Sequence, residues 1–314
     1  MKRREFLMGA AAVAAGGFVR PVTGRAAQMG RQAALDRVSI MSLNFQSILK
    51  VPDTTPGPER TLELFDLPQM IADTYGVHKV ELQHYHLAST EDAYLREFKT
   101  HLDRAKSTAE QFNVEFGPLN ISAPRKRDRL QAIDLTKAFI DHAVILGVKK
   151  VMINQGQLTT LNKDVAIETL KTMSDYGKSK NVIVSVETRG GGGGGRGREG
   201  QPPPPPVPGL PTTSPETWKL LAEVTQGAGA KSNVDVGGAR AANQQELHDC
   251  LRLMFPFTAN TMHTRVNANW DLATAIKFLE NDLGYEGLYT IETGGGHQGT
   301  KEIFDVVMAT LPAL

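Results

Sequence analysis

Four short runs in the C-terminal half of the sequence each end in a residue able to do chemistry. They are Val182-Ile-Val-Ser-Val-Glu187, Ser232-Asn-Val-Asp235, Ala259-Asn-Thr-Met-His263 and Leu288-Tyr-Thr-Ile-Glu292. An apolar, β-branched run of this length reads as a buried strand, and its last residue lies at the strand's C-terminal edge. In a parallel α/β barrel that edge is where catalytic groups gather. Three carboxylates and one imidazole meeting there form a hard, mostly oxygen site for a single divalent cation. Mn²⁺ or Mg²⁺ suits it best, and Zn²⁺ or Co²⁺ remain compatible. Further polar residues fall at other strand ends. Glu81, His84 and His86 lie in or just after a run near Lys79, with the two histidines on one alternation face. Asn154, Gln155 and Gln157 follow another run, and Arg265 shares a strand face with His263. These side chains suit the hydroxyl, carboxylate or carbonyl oxygens of a ligand, and His84 and His86 suit a second metal as well.

The elements that must position these groups repeat along the chain. Strand-like runs are expected at Val38–Leu43, Lys79–Leu82, Val114–Pro118, Lys150–Ile153, Val182–Val186, Lys231–Val236, Ala259–His263 and Gly287–Ile291. The segments between them carry helical periodicity. In Asp134–Gly147, residues Leu135, Ala138, Phe139, Ala143 and Leu146 fall on one face and Gly147 ends the helix. A second helix is expected over Asp164–Tyr176, stopped by Gly177, and a last one over Thr300–Leu311. Eight βα units without a composition break predict a single-domain (β/α)8 TIM barrel over 33–314, with an open doubly wound sheet as the alternative.

The first residues read as an address. Arg3-Arg4-Glu5-Phe6-Leu7 precedes a weakly apolar, Ala/Gly-rich stretch too short to span a bilayer, which is the pattern of a twin-arginine export signal over 1–26. The expected partner is the twin-arginine export machinery, the expected destination is the periplasm, and no stable membrane anchor is expected. Cleavage after Ala26 removes five Lys/Arg and one Glu and takes the net charge from +1 to −3. A negative surface argues against nucleic acid as a partner. The short Arg125-Lys126-Arg127 run reads as a solvated helix start. The one cysteine, Cys250, sits in a helical pattern and reads as a small core residue.

One segment breaks the rhythm. After the fifth strand, 189–214 holds six consecutive glycines (190–195) and five consecutive prolines (202–206), a composition that packs no core. It is expected as an insertion on the catalytic face, either an unstructured loop or a lid carrying Arg196 and Arg198.

The order and spacing of the strand-ending residues resemble the xylose-isomerase-like barrel superfamily, which groups sugar isomerases and epimerases with the apurinic endonuclease family 2. Tyr75-Gly-Val-His-Lys-Val-Glu81-Leu resembles that family's Gly-x-x-x-Val-Glu-Leu strand. His142-Ala-Val-Ile-Leu-Gly147 resembles the approach to its fourth strand, and His263-Thr-Arg265 resembles its strand-7 His-x-Lys pattern. The resemblance implies that Glu187, Asp235, His263 and Glu292 bind one divalent metal. It also implies that Glu187 and Glu292 flank a keto-sugar, one removing a proton beside the carbonyl and the other returning it. Two departures stand out. Gly238 occupies a place where the family often has histidine, and Val266 one where it usually has aspartate. The missing imidazole argues against the multi-zinc nuclease version.

The resulting expectation is an exported, metal-dependent keto-sugar isomerase or epimerase, in a family whose members often form homodimers. A keto-sugar lyase or dehydratase uses the same ligands. A non-catalytic sugar-binding barrel is the alternative different in kind.

Overall fold

The computed structural model describes residues 30–52, 55, 57–115, 121–188 and 207–311. The expected export signal, residues 189–206 of the Gly/Pro-rich insertion and residues 116–118 of the expected third strand lie outside the described residues.

Eight parallel strands close into a barrel in chain order. They are β1 (Val38–Met41), β2 (Lys79–Gln83), β3 (Thr108–Val114), β4 (Lys150–Ile153), β5 (Ile183–Glu187), β6 (Lys231–Asp235), β7 (Thr258–Thr264) and β8 (Leu288–Ile291). Closure is made by β8 against β1, with Val38, Ser39 and Ile40 opposite Tyr289, Thr290 and Ile291. This is the (β/α)8 barrel that the repeat pattern implies, and it excludes the open sheet.

A short α1 (Arg31–Leu35) precedes the barrel. The surrounding helices are α2 (Leu67–Tyr75), α3 (Asp92–Arg104), α4 (Lys126–Leu146), α5 (Lys163–Ser179), α6 (Ser214–Ala228), α7 (Gln244–Met254), α8 (Leu272–Asn281) and α9 (Gly296–Thr310). Gly147 caps α4 in the left-handed conformation (φ 78°), as its sequence position implies. The buried face of α4 is turned slightly from the expected one. It carries Ala132, Thr136, Phe139, Ile140 and Ala143, and leaves Leu135 and Ala138 at the margin. Gly177 does not stop α5, which continues to Ser179. Its absent side chain serves packing instead, because a Cβ there would lie 2.5 Å from the Val182 carbonyl oxygen. Among the described residues no helix is long and apolar enough to cross a membrane.

The third strand departs most from expectation. It runs over Thr108–Val114, not Val114–Pro118. Its sequence, Thr-Ala-Glu-Gln-Phe-Asn-Val, hides the usual apolar signature because alternate residues face a polar lumen. The same alternation holds around the barrel. Ile40, Val80, Leu82, Phe112, Val151, Ile153, Val184, Val186, Val234 and Ile291 belong to the hydrophobic layer under the helices. Their neighbours Ser39, Glu81, Gln111, Asn113, Lys150, Ser185, Glu187, Asn233, Thr261, His263 and Thr290 are buried as well. Bonds that cross the barrel, such as Lys150 to Thr261 and Glu81 to His263, place this second set inside. Cys250 is fully buried in α7 with its thiol pushed up to about 12 by burial and nearby acids, which fits a core residue.

Candidate metal centre

Glu187 ends β5, Asp235 ends β6, His263 is the penultimate residue of β7 and Glu292 follows β8. All four are buried. The register brings them to one barrel end: Asp235 is opposite His263 across the β6–β7 ladder, and His263 is opposite Thr290 across β7–β8. Ligand-competent atoms of Glu187, His263 and Glu292 lie within 4.8 Å of one another. The Nδ1 of His263 is 3.1 Å from Glu187 Oε1 and 3.0 Å from Glu292 Oε2. Three of the four expected ligands therefore form one cluster. The fourth, Asp235, stands beside it and is joined through Arg265, whose Nη2 donates to Asp235 Oδ2 and Glu292 Oε2, both at 2.8 Å.

Local structure fixes each group. The Asp235 amide donates to Thr188 Oγ1 at 2.8 Å, and the Gly238 amide donates to Asp235 Oδ1 at 2.7 Å. Gly238 also supplies space, since a Cβ there would lie 2.0 Å from Asp235 Oδ2. The position where a histidine is common in the resembling family is thus too close to Asp235 for any side chain in this arrangement. Gly237 does the same for Arg265, whose Cγ would lie 1.6 Å from an added Cβ. The end of β8 is held by Asn44, which donates to the Ile291 carbonyl (3.1 Å) and accepts from the Thr293 amide (2.9 Å).

The electrostatics are those of crowded buried acids. Burial pushes the Asp235 carboxyl up to about 7. Arg265 opposes that shift, while Glu292 and Glu187 add to it. Burial alone would lower the His263 imidazole, but Glu292, Glu187 and Glu81 outweigh it and hold the ring well above its ordinary value. Burial disfavours a charged Arg265 in the same way, yet the Asp235 and Glu292 charges raise it on balance. The donor set, three carboxylates and an imidazole, fits a hard divalent ion. Glu187, His263 and Glu292 would hold it, with Asp235 completing the set.

The other expected site residues separate. Glu81, expected among the substrate contacts, is fully buried beneath His263 and bonded entirely to protein. Its carboxyl is disfavoured by burial, but His263 and Thr290 hold it below its ordinary value. His84 and His86 do not share a face, because β2 ends at Gln83 and they form a 3₁₀ turn. His84 Nδ1 accepts from the Glu115 amide at 3.2 Å. His86 Nδ1 meets Ser42 Oγ at 2.8 Å, and burial pushes its ring down to about 4. His86 also lines a cavity of about 360 Å³ with Lys50, Phe65, Tyr94 and His101, which none of the four strand-end residues lines. Asn154 is half-buried just after β4, whereas Gln157 is exposed and its carbonyl accepts from Asn162 Nδ2 at 2.9 Å. Arg265 is 38% exposed and points at the cluster, as its strand face implies. The supporting residues Gln111, Asn113, Thr188, Thr290 and Asn44 escaped the sequence reading. The polar alternation Gln111-x-Asn113 was the available signal for two of them.

No family model matches the sequence, and neither does any curated protein. Among solved structures, the barrel is similar to a xylose isomerase domain protein from Planctomyces limnophilus, with 11% identity, TM-score 0.61, and 87% of this chain and 96% of that one covered. It is also similar to D-psicose 3-epimerase with D-tagatose from Clostridium cellulolyticum H10, with 13% identity, TM-score 0.60, and 88% and 96% covered. A third similar structure is a xylose isomerase-like TIM barrel protein from Mycobacterium smegmatis in complex with magnesium, with 15% identity, TM-score 0.58, and 89% and 99% covered. At these identities the likeness establishes a shared (β/α)8 barrel fold.

Proposed function

We propose that this protein is a divalent-metal-dependent keto-sugar isomerase or epimerase, exported in folded form through the twin-arginine pathway. One observation carries the reading. Two buried carboxylates, Glu187 and Glu292, face the same imidazole nitrogen at 3.1 and 3.0 Å at the C-terminal end of a parallel barrel. That arrangement supplies both a cation site and a pair of proton carriers. The magnesium complex among the similar structures supports the cation, and the epimerase with D-tagatose supports the substrate class. The Arg3-Arg4-x-Phe6-Leu7 pattern supports export.

A divalent ion in this site would polarise a ketose carbonyl and offset the negative charge that develops when the neighbouring carbon loses its proton. Glu187 and Glu292 then divide the proton work, one taking the proton from that carbon and the other returning it. Return to the adjacent carbon is isomerisation, and return to the opposite face is epimerisation. Arg265, partly exposed beside Glu292, would bind a substrate oxygen.

The test is incubation of the mature protein with Mn²⁺ and D-tagatose or D-fructose in D₂O. Deuterium at the carbon beside the carbonyl, dependent on Mn²⁺, is the expected result. Saturable sugar binding with no exchange and no product would replace the enzyme with a binding protein. Release of water to give a dehydrated sugar would replace the isomerase with a lyase.

A further inference from the structure

Resting on the metal-site reading, we infer that Glu81 is the positioning residue of the centre. It holds the Nε2 proton of His263 and so leaves Nδ1 as the ring's ligand atom. Glu81 lies on β2, across the barrel from β7, and has no solvent exposure. Its Oε2 is 3.0 Å from His263 Nε2, 3.1 Å from Gln111 Nε2 and 3.3 Å from Asn113 Nδ2. Its Oε1 accepts from Thr290 Oγ1. An ionised carboxylate only accepts, and an amide nitrogen only donates. The Gln111 and Asn113 amides both donate to Oε2, which makes that oxygen an acceptor, so its remaining contact needs a proton on His263 Nε2.

The opposite ring nitrogen faces the other way. Nδ1 looks at Glu187 Oε1 and Glu292 Oε2, oxygens of the two acids that share its cluster. A histidine ligand is generally fixed in this manner, by donating its second N–H to a carboxylate that sets both tautomer and ring angle. Here that carboxylate comes from a strand outside the ligand-bearing set. It is itself anchored by three donors from β3 and β8, so the ring cannot turn without breaking a buried network. Full burial and saturation by protein donors leave Glu81 no contact with a substrate.

The experiment uses the mature protein labelled with ¹⁵N-histidine, with and without Zn²⁺, beside Glu81→Gln and Glu81→Ala. Long-range ¹H–¹⁵N spectra are expected to show His263 with a slowly exchanging Nε2–H in the wild type. Glu81→Ala should lose that protection and bind Zn²⁺ about 10–100-fold more weakly. Glu81→Gln keeps the side chain's volume and an accepting oxygen. It should keep the Nε2–H and lose less affinity, so it serves as the folded comparison if the alanine variant does not fold. An unprotonated Nε2 in the wild type overturns the inference. So does a Glu81 variant that folds and leaves both the Nε2–H protection and the Zn²⁺ affinity unchanged when alanine replaces the acid. If the wild type takes up no Zn²⁺ or Mn²⁺, the metal reading fails. The Nε2–H and its loss in Glu81→Ala would still support Glu81 as the residue that orients His263.

Discussion

Strands β5–β8 and strands β2–β4 both face the lumen with polar residues, but they use them differently. The later strands carry Glu187, Asp235, His263 and Glu292 at or just past their C-terminal ends, with Glu187, His263 and Glu292 clustered and Asp235 beside them. The earlier strands contribute Glu81, Gln111, Asn113 and Lys150, whose bonds run to other protein groups in the interior. One half gathers the candidate ligands of the proposed metal site, and the other is bonded to protein groups within the barrel. A barrel interior filled by branched apolar side chains would give stability alone. This one uses much of its interior to fix the orientation of a few polar groups, while the apolar layer beneath the helices supplies the burial that stabilises the fold.

If that division is right, changes to the two halves and to the outer layer should have separable effects. The largest functional loss is expected from Glu187→Gln or Glu292→Gln. Each removes a proton carrier, so deuterium exchange into ketose should fall roughly 10²–10⁴-fold, while the circular dichroism spectrum stays that of the wild type. The outer layer should behave in the opposite way. Trp218 in α6 is fully buried among apolar neighbours, and Trp218→Ala should cost about 3–5 kcal/mol in denaturant unfolding. The metal affinity of the remaining folded protein should be unchanged. An equal loss of affinity would mean that shell and lumen are not separable.

Acidity sharpens the comparison next. Asp235 keeps its proton to about pH 7, and His263 keeps its own well above the ordinary histidine value. Both protons oppose a cation, so Mn²⁺ affinity should rise from pH 6 to pH 8, by up to about tenfold per pH unit for each proton released. Stability of the metal-free protein should move the other way. The His263 contribution is complete below the unfolded histidine value and is lost as pH rises through the raised one. The penalty of ionising buried Asp235 builds between its unfolded value and about 7. The melting temperature without metal should therefore fall as Mn²⁺ affinity rises. The smallest effect is expected at Arg265, a partly exposed cation on Asp235 and Glu292. Arg265→Gln should tighten Mn²⁺ binding about 2–5-fold in a calorimetric titration. Gly237→Ala, which displaces the same side chain, should act in the same direction.

The convergence of the strand-end residues is legible in the sequence, and the network that supports them is not. Glu187, Asp235, His263 and Glu292 follow β-branched runs that read as strands on their own, and their order fixes their place on one barrel edge. Strand β3 was displaced because Glu110, Gln111 and Asn113 interrupt its apolar pattern, and the function of those amides depends on Glu81 across a neighbouring strand. The sequence suggests a substrate contact for Glu81 because a strand-end acid looks the same in sequence whether it faces solvent or a buried imidazole. The shared face assigned to His84 and His86 failed for a local reason, since a 3₁₀ turn replaces the alternation of an extended strand. The roles of Gly237 and Gly238 depend on where Arg265 and Asp235 point, which spacing alone does not contain.

The most direct test is the metal content and Mn²⁺ titration of the mature protein beside the Glu187→Gln/Glu292→Gln double variant. The account predicts about one ion per folded chain in the wild type and loss of that site in the variant, with the helix and strand content of both unchanged. A wild type that binds no divalent ion, or a double variant that binds it with the same stoichiometry and affinity, would contradict it.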